Sequence, residues 1–205
     1  MVYRRFVKRW LDVILSGIAL VVLAIPMAVF AVLIKLDSRG PVLFWQKRVG
    51  ANKETFMMPK FRSMYTETPA EMPTHLLSDP DRWITPVGKI YRKFSIDELP
   101  QIWSIFTGKM SIIGPRPALW NQEDLIAERD KYGANDVRPG LTGWAQINGR
   151  DELEIPVKAR LDGEYVEKLS FMFDCKCFFG TILAVLRHDG VVEGGTGSME
   201  KEKQR

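Results

Sequence analysis

Val13-Ile-Leu-Ser-Gly-Ile-Ala-Leu-Val-Val-Leu-Ala-Ile-Pro26-Met-Ala-Val-Phe-Ala-Val-Leu-Ile34 holds no charged residue. As a straight helix this run would extend roughly 33 Å, enough to cross the hydrocarbon of a bilayer. A cleaved signal peptide fits poorly, because its apolar region is shorter and is followed by a small-residue cleavage site. Pro26 lies inside the run, where it removes a backbone donor and clashes with the preceding turn, so a kink is expected there. Positive charge flanks both ends: Arg4, Arg5, Lys8 and Arg9 precede the run, and Lys35, Arg39, Lys47 and Arg48 follow it. The positive-inside rule keeps such flanks in the cytoplasm. A single span cannot satisfy both ends, whereas a helix that enters, bends at Pro26 and returns can. The re-entrant helix-break-helix is therefore preferred, with a single span as the alternative. A break at membrane depth needs its freed carbonyls satisfied from nearby, and Ser16 is too far along the chain to do so.

Outside this segment the chain reads as one small globular unit. Its 205 residues are 46% hydrophobic and 26% charged, enough for a packed core. With 29 basic and 25 acidic residues the net charge is +4, which suits a phosphate ligand or an anionic membrane surface. No dense basic tract or reader motif points to nucleic acid, so none is expected as a partner. Cys175 and Cys177 are too close for an ordinary disulfide and read as buried thiols in a reducing compartment. His75 and His188 form no ligand cluster with them, so no transition-metal site is expected.

Pro41–Gly50 reads as a strand, and Thr55–Met64 as a second strand interrupted by Pro59. Residues 66 to 82, with three prolines, read as a surface loop. Helices are expected over Val87–Phe94, Ser95–Thr107, Ala118–Tyr132, Glu152–Lys168 and Phe171–Arg187. Ser111–Pro117 is tight and proline-bound, and Val137–Arg150 is rich in glycine and turn residues. The last helix is strongly apolar but interrupted by Asp174 and Lys176, which fits either an interfacial helix or an ordinary core helix. The fold class is α+β and mainly helical. Residues 1–40 form the membrane hairpin, 41–190 the catalytic domain, and 191–205 a disordered tail rich in glycine and charge.

Arg92-Lys-Phe-Ser-Ile-Asp97-Glu98-Leu-Pro-Gln101 carries the candidate chemistry. It has a plain structural explanation: Ser95 and Glu98 match a capping box, and acidic residues suit the first turn of a helix. The same geometry also suits catalysis. A carboxylate at a helix N-terminus stays ionised and can act as nucleophile or metal ligand, and two adjacent carboxylates can share a hard cation. Helix N-termini also favour phosphate, and Arg92 and Lys93 add positive charge. Further basic residues sit in constrained backbone: Arg116 between two prolines, Arg138 before Pro139-Gly140, Arg150 after Asn148-Gly149, and Lys60 and Arg62 around Phe61. A locked backbone aims the arginine fork that binds phosphate. Together these features fit phosphoryl transfer, where positioning and charge stabilisation dominate. The P-loop, the Rossmann glycine pattern and the nucleophile elbow are all absent from the sequence.

The order of several blocks resembles the bacterial sugar transferases, the monotopic phosphoglycosyl transferases. These blocks are Lys60-Phe-Arg-Ser-Met64, Ser95-Ile-Asp-Glu-Leu-Pro-Gln101, Met110-Ser-Ile-Ile-Gly-Pro-Arg-Pro117, Val137-Arg-Pro-Gly-Leu-Thr-Gly-Trp-Ala-Gln-Ile-Asn-Gly-Arg150 and Leu169-Ser-Phe-Met-Phe-Asp174. The resemblance implies a minimal catalytic form on a bacterial inner membrane, with its active site at the cytoplasmic face. It implies ping-pong transfer of a sugar 1-phosphate from a UDP-sugar to undecaprenyl phosphate, with Asp97 as covalent nucleophile and release of UMP. Glu98 would help Asp97 hold Mg²⁺ or manage a proton. Lys60, Arg62, Arg92, Arg116, Arg138, Thr142, Gln146 and Arg150 become substrate-binding candidates.

The chain departs from the family pattern at two places. Ile25 stands where many members have serine before the proline, and Gly108-Lys-Met-Ser111 stands where many have Gly-Asp-Met-Ser. The small members that this chain resembles in size often use N-acetylated amino or diamino sugars, so the resemblance implies such a hexose, with glucose or galactose as alternatives. Direct transfer with Asp97 as a general base, or a non-catalytic module that binds nucleotide sugars, are the competing readings.

Overall fold

The structure is a computed structural model and describes residues 2–68, 79–149 and 153–187. Arg150, His75, His188 and the expected tail lie outside the described residues, as does most of the expected 66–82 loop.

The apolar run folds as one helix, α1 (Lys8–Asp37), after a π-helical turn over Tyr3–Val7. Helical structure continues through Pro26, so the expected break is not an interruption of the helix. Both ends of α1 are fastened to the same globular body. Near the start, Lys8 pairs with Asp174 at 2.7 Å and Asp12 accepts the Ile112 amide at 3.0 Å. Towards the end, Met27, Phe30, Ala31 and Ile34 pack with Phe61 and Tyr91, and the Tyr91 hydroxyl donates to the Phe30 carbonyl at 2.8 Å. Between these two docking points Val21 and Ile25 are 79% and 77% exposed.

The two expected strands form an antiparallel hairpin, β1 (Leu43–Val49) with β2 (Thr55–Phe61), in which Trp45 faces Pro59. Pro59 is tolerated because a two-stranded sheet has only edges. Next come α2 (Pro86–Lys93), α3 (Gln101–Phe106), β3 (Ser111–Ile113), α4 (Glu123–Asp130), β4 (Gly140–Thr142), α5 (Trp144–Ile147), α6 (Ile155–Glu167) and α7 (Phe171–Arg187). α2 is held at its start by Thr85, whose hydroxyl accepts the Gly88 amide at 3.0 Å. β3 and β4 pair in parallel, a contact the sequence pattern does not announce because each strand has only three residues. α4 is shorter than expected, and the buried pair of Arg129 and Asp162 ties it to α6.

α7 presents two different faces. Asp174 and Cys177 are buried, whereas Phe178, Phe179, Ile182 and Leu183 are between 44% and 62% exposed. Both cysteines are free thiols, and burial pushes Cys177 up to about 12, so it is no nucleophile at neutral pH.

Candidate active site

Asp97 and Glu98 do not open a capped α-helix. Ser95 sits in the left-handed region at φ 55° and makes no side-chain capping bond. Ile96–Glu98 is a single tight turn, and α3 begins only at Gln101. The capping-box expectation is therefore corrected. Pro100 cannot supply an amide to the preceding turn, so the chain makes a short separate turn before the helix starts. A non-glycine residue held at positive φ beside two carboxylates is the kind of local strain that collects at functional sites.

The turn rests on apolar packing. Ile96 and Leu99 lie against the core cluster of Ile34, Phe61 and Tyr91, so the end of the apolar helix helps to hold the carboxylate pair in place. From β2, Lys60 Nζ reaches Glu98 Oε1 at 3.3 Å, and Arg116 Nη2 reaches the same oxygen at 2.6 Å. All three side chains are well shielded, at 16%, 21% and 13% exposure for Lys60, Arg116 and Glu98. Burial lowers Lys60, and the two carboxylates counteract that shift.

Asp97 differs from its neighbour. No hydrogen bond or ion pair holds its carboxylate among the described residues. Burial raises its pKa above the ordinary carboxylate range; Lys60 pulls it down, Glu98 raises it, and Arg92 and Arg116 pull it down in turn. Asp97 lies in the tight turn and not at the N-terminus of an α-helix, so its electrostatic help comes from side chains.

Arg116 is held by backbone approach. Gly114 donates to the Thr142 carbonyl at 2.8 Å, and Gly140 donates to the Pro115 carbonyl at 2.9 Å. A Cβ on Gly143 would lie 2.1 Å from the Gly114 carbonyl oxygen, so only glycine fits there. Arg48, which the sequence gives no reason to single out, donates to the Pro117 carbonyl at 2.9 Å and braces the same loop.

Of the substrate-binding candidates, Lys60, Arg92 and Arg116 gather around the carboxylate pair. Arg62 is corrected to a structural role. Only 6% exposed, it donates to the carbonyls of Ser38, Arg39 and Pro41, where the chain leaves α1. Arg138 donates to the Gly108 carbonyl at the far end of α3, and Thr142 bonds to Thr181 on α7. Gln146 has both amide atoms buried without a hydrogen-bond partner among the described residues. Among the described residues no group of three His, Cys, Asp or Glu gathers to hold a metal ion.

The family model described as bacterial sugar transferase matches residues 3–188. The chain belongs to that family. Similar sugar transferases include an undecaprenyl-phosphate glucose phosphotransferase of Komagataeibacter xylinus, 42% identical over 85% of this chain and 35% of that protein. An N-acetylgalactosaminephosphotransferase of Aeromonas hydrophila, which acts from UDP-N-acetylgalactosamine on undecaprenyl phosphate, is 37% identical over 88% of this chain and 44% of that protein. Exopolysaccharide production protein PSS of Rhizobium leguminosarum bv. phaseoli is 39% identical over 87% of this chain and 94% of its own length. The chain thus spans less than half of the first two of these relatives and nearly all of the third.

Proposed function

We propose that this chain transfers a sugar 1-phosphate from a UDP-sugar to undecaprenyl phosphate, with Asp97 as covalent nucleophile and UMP as leaving group. The observation that carries the reading is the asymmetry of the pair. Glu98 pairs with Lys60 and Arg116, while Asp97 has no hydrogen-bond or ion-pair partner among the described residues yet lies in the field of Lys60, Arg92 and Arg116. That arrangement suits one carboxylate that positions and one that reacts.

In the first step an Asp97 oxygen attacks the β-phosphorus. A bond forms from Asp97 to phosphorus, the bond from that phosphorus to the bridging oxygen breaks, and UMP departs with the electron pair. In the second step an oxygen of the lipid phosphate attacks the same phosphorus, and the Asp97 carboxylate leaves unchanged. Lys60 and Arg116 stabilise the charge that develops on the phosphoryl oxygens. The lipid phosphate is largely ionised at neutral pH and has little need of a base, which favours the nucleophile over the general-base reading. Gln146, with an unpaired donor and acceptor, is the remaining candidate for a donor-sugar contact.

Mg²⁺ fits the donor set, because this ion is commonly held by one or two carboxylates together with substrate phosphates and water. Asp97 and Glu98 would hold it, and it would neutralise pyrophosphate charge.

The docking of both ends of α1 on one body supports a helix that enters the cytoplasmic leaflet of the inner membrane, bends at Pro26 while staying helical, and returns. A helix whose ends touch the same small domain cannot have them on opposite sides of a bilayer. The donor class is a UDP-hexose or its N-acetylated counterpart. The sequence expectation favours the acetylated kind, and the relatives' names cover both.

The test is the intact mass of wild type and Asp97→Asn after incubation with Mg²⁺ and a panel of UDP-sugars, without lipid acceptor. A sugar-phosphate mass gain with UMP release in wild type alone is expected and identifies the sugar. UMP release only after undecaprenyl phosphate is added, with no adduct, would replace this mechanism with direct transfer.

A further inference from the structure

A second basic cluster lies at the carboxyl end of α3, built by residues the transfer step does not use. Arg9, on the first turns of α1, donates to the carbonyls of Ile105 at 2.7 Å and Phe106 at 2.8 Å. Arg138 donates through Nε to the Gly108 carbonyl at 3.0 Å. A Cβ on Gly108 would lie 3.1 Å from Arg9 Nη2, so both guanidiniums surround this one glycine. Lys109 follows it directly and is exposed. The carbonyls at a helix end attract cations, which explains why the arginines settle here.

That attraction does not use all the donors present. The Nη groups of Arg138 and the ammonium of Lys109 carry no hydrogen bond or ion pair among the described residues. The acidic side chain that faces Arg9 is Asp12, one of whose oxygens already accepts the Ile112 amide. The cluster therefore keeps a surplus of positive charge.

Its surroundings say what meets that charge. Trp10, Trp103 and Phe106 are 67%, 53% and 38% exposed, and Phe106 lies alongside α1 at Gly17. Exposed aromatics and cations at the root of an apolar helix mark the headgroup level of a membrane.

We propose that Lys109, Arg138 and Arg9 form a binding site for the phosphate of an anionic phospholipid headgroup, separate from the carboxylate pair. The proposal rests on the reading of α1 as a membrane segment and is independent of the transfer chemistry.

The test is native mass spectrometry of the full chain released from nanodiscs of equal phosphatidylglycerol and phosphatidylcholine. Wild type is compared with Lys109→Gln, Lys109→Asp and Arg138→Gln. Wild type is expected to retain phosphatidylglycerol preferentially. Removing one charge should weaken retention about fivefold, and the Lys109→Asp reversal about twenty-five-fold. Formation of the Asp97 adduct in Lys109→Asp serves as the check on folding. Equal retention of the two lipids by wild type, or unchanged phosphatidylglycerol retention in Lys109→Asp, would overturn the headgroup site while leaving the transfer reading standing. Preferential retention by a wild type that forms no adduct would support the site and count against the transfer reading alone.

Discussion

Arg116 donates to Glu98 at 2.6 Å, on the same carboxylate oxygen that Lys60 reaches at 3.3 Å. Glu98 is ion-paired with both cations, whereas Asp97 lies in their field without bonding to either.

If Arg116 both holds Glu98 and faces the transferred phosphoryl group, its removal acts on the transition state. Arg116→Ala should lower kcat for adduct formation about 10²- to 10³-fold, the usual loss for one pre-organised donor. Arg116→Lys should recover only part of that, because an ammonium lacks the planar fork. Stopped-flow measurement of UMP release checks both. A loss below about threefold for alanine would remove Arg116 from the chemistry.

Burial raises Asp97, and only its ionised form can attack. Adduct formation should therefore rise with pH through an acid limb that lies above the ordinary aspartate value of about 3.9. The stability effect has the opposite sign. A carboxyl raised by folding contributes stability that is fully present below its unfolded pKa and lost as pH rises through its folded pKa. Asp97→Asn avoids that loss, so it should melt higher than wild type near neutral pH, with the gap closing in acid. Thermal melts across the pH range, run beside rate profiles, test the pair of signs.

Arg62 satisfies three carbonyls from a buried position, so Arg62→Ala leaves acceptors without partners and should cost about 3 kcal/mol of stability. Arg62→Lys can restore only part of the set. Adduct formation should persist in both variants at temperatures where they remain folded. A variant that melts like wild type yet makes no adduct would return Arg62 to the substrate site.

Ile34 is 2% exposed, and Ile34→Ala should cost about 3 kcal/mol through lost burial and the cavity left behind. Val21 is 79% exposed, and Val21→Ala should leave the melting temperature in detergent unchanged. Equal effects from the two would contradict the division of α1 into docked and bare parts.

Long periodic segments were the most legible part of the sequence. The bounds of α7 follow directly from its apolar run, and β1 and β2 lie within the expected strands. The motif order and the constrained backbone offered a longer set of substrate-binding candidates, of which Lys60, Arg92 and Arg116 lie around the carboxylate pair. What was illegible depended on contacts between distant residues. The parallel pairing of β3 with β4 is too short to leave a periodic trace. The bracing role of Arg48 arises only because the hairpin meets the Pro115–Pro117 loop. Arg62 and Lys60 are two residues apart on one strand, yet one clamps the exit of α1 and the other faces Glu98. Sequence chemistry alone gives two cations in one block the same task. Ser95 matched a capping pattern because that pattern records residue types and spacing, not the positive φ this serine adopts.

The packing of Ile34 and Phe30 under Ile96 and Leu99 means that the membrane segment is part of the reaction centre's foundation. Asp97, flanked by Ile96 and close to Leu99, therefore moves with α1, and its level relative to lipid follows how deeply that helix seats. Bilayer thickness becomes a mechanical input: if α1 seats in the membrane as proposed, a lipid mixture that changes its seating shifts Asp97 relative to the lipid headgroups. The catalytic body cannot be cut free as a soluble fragment without losing part of its own interior.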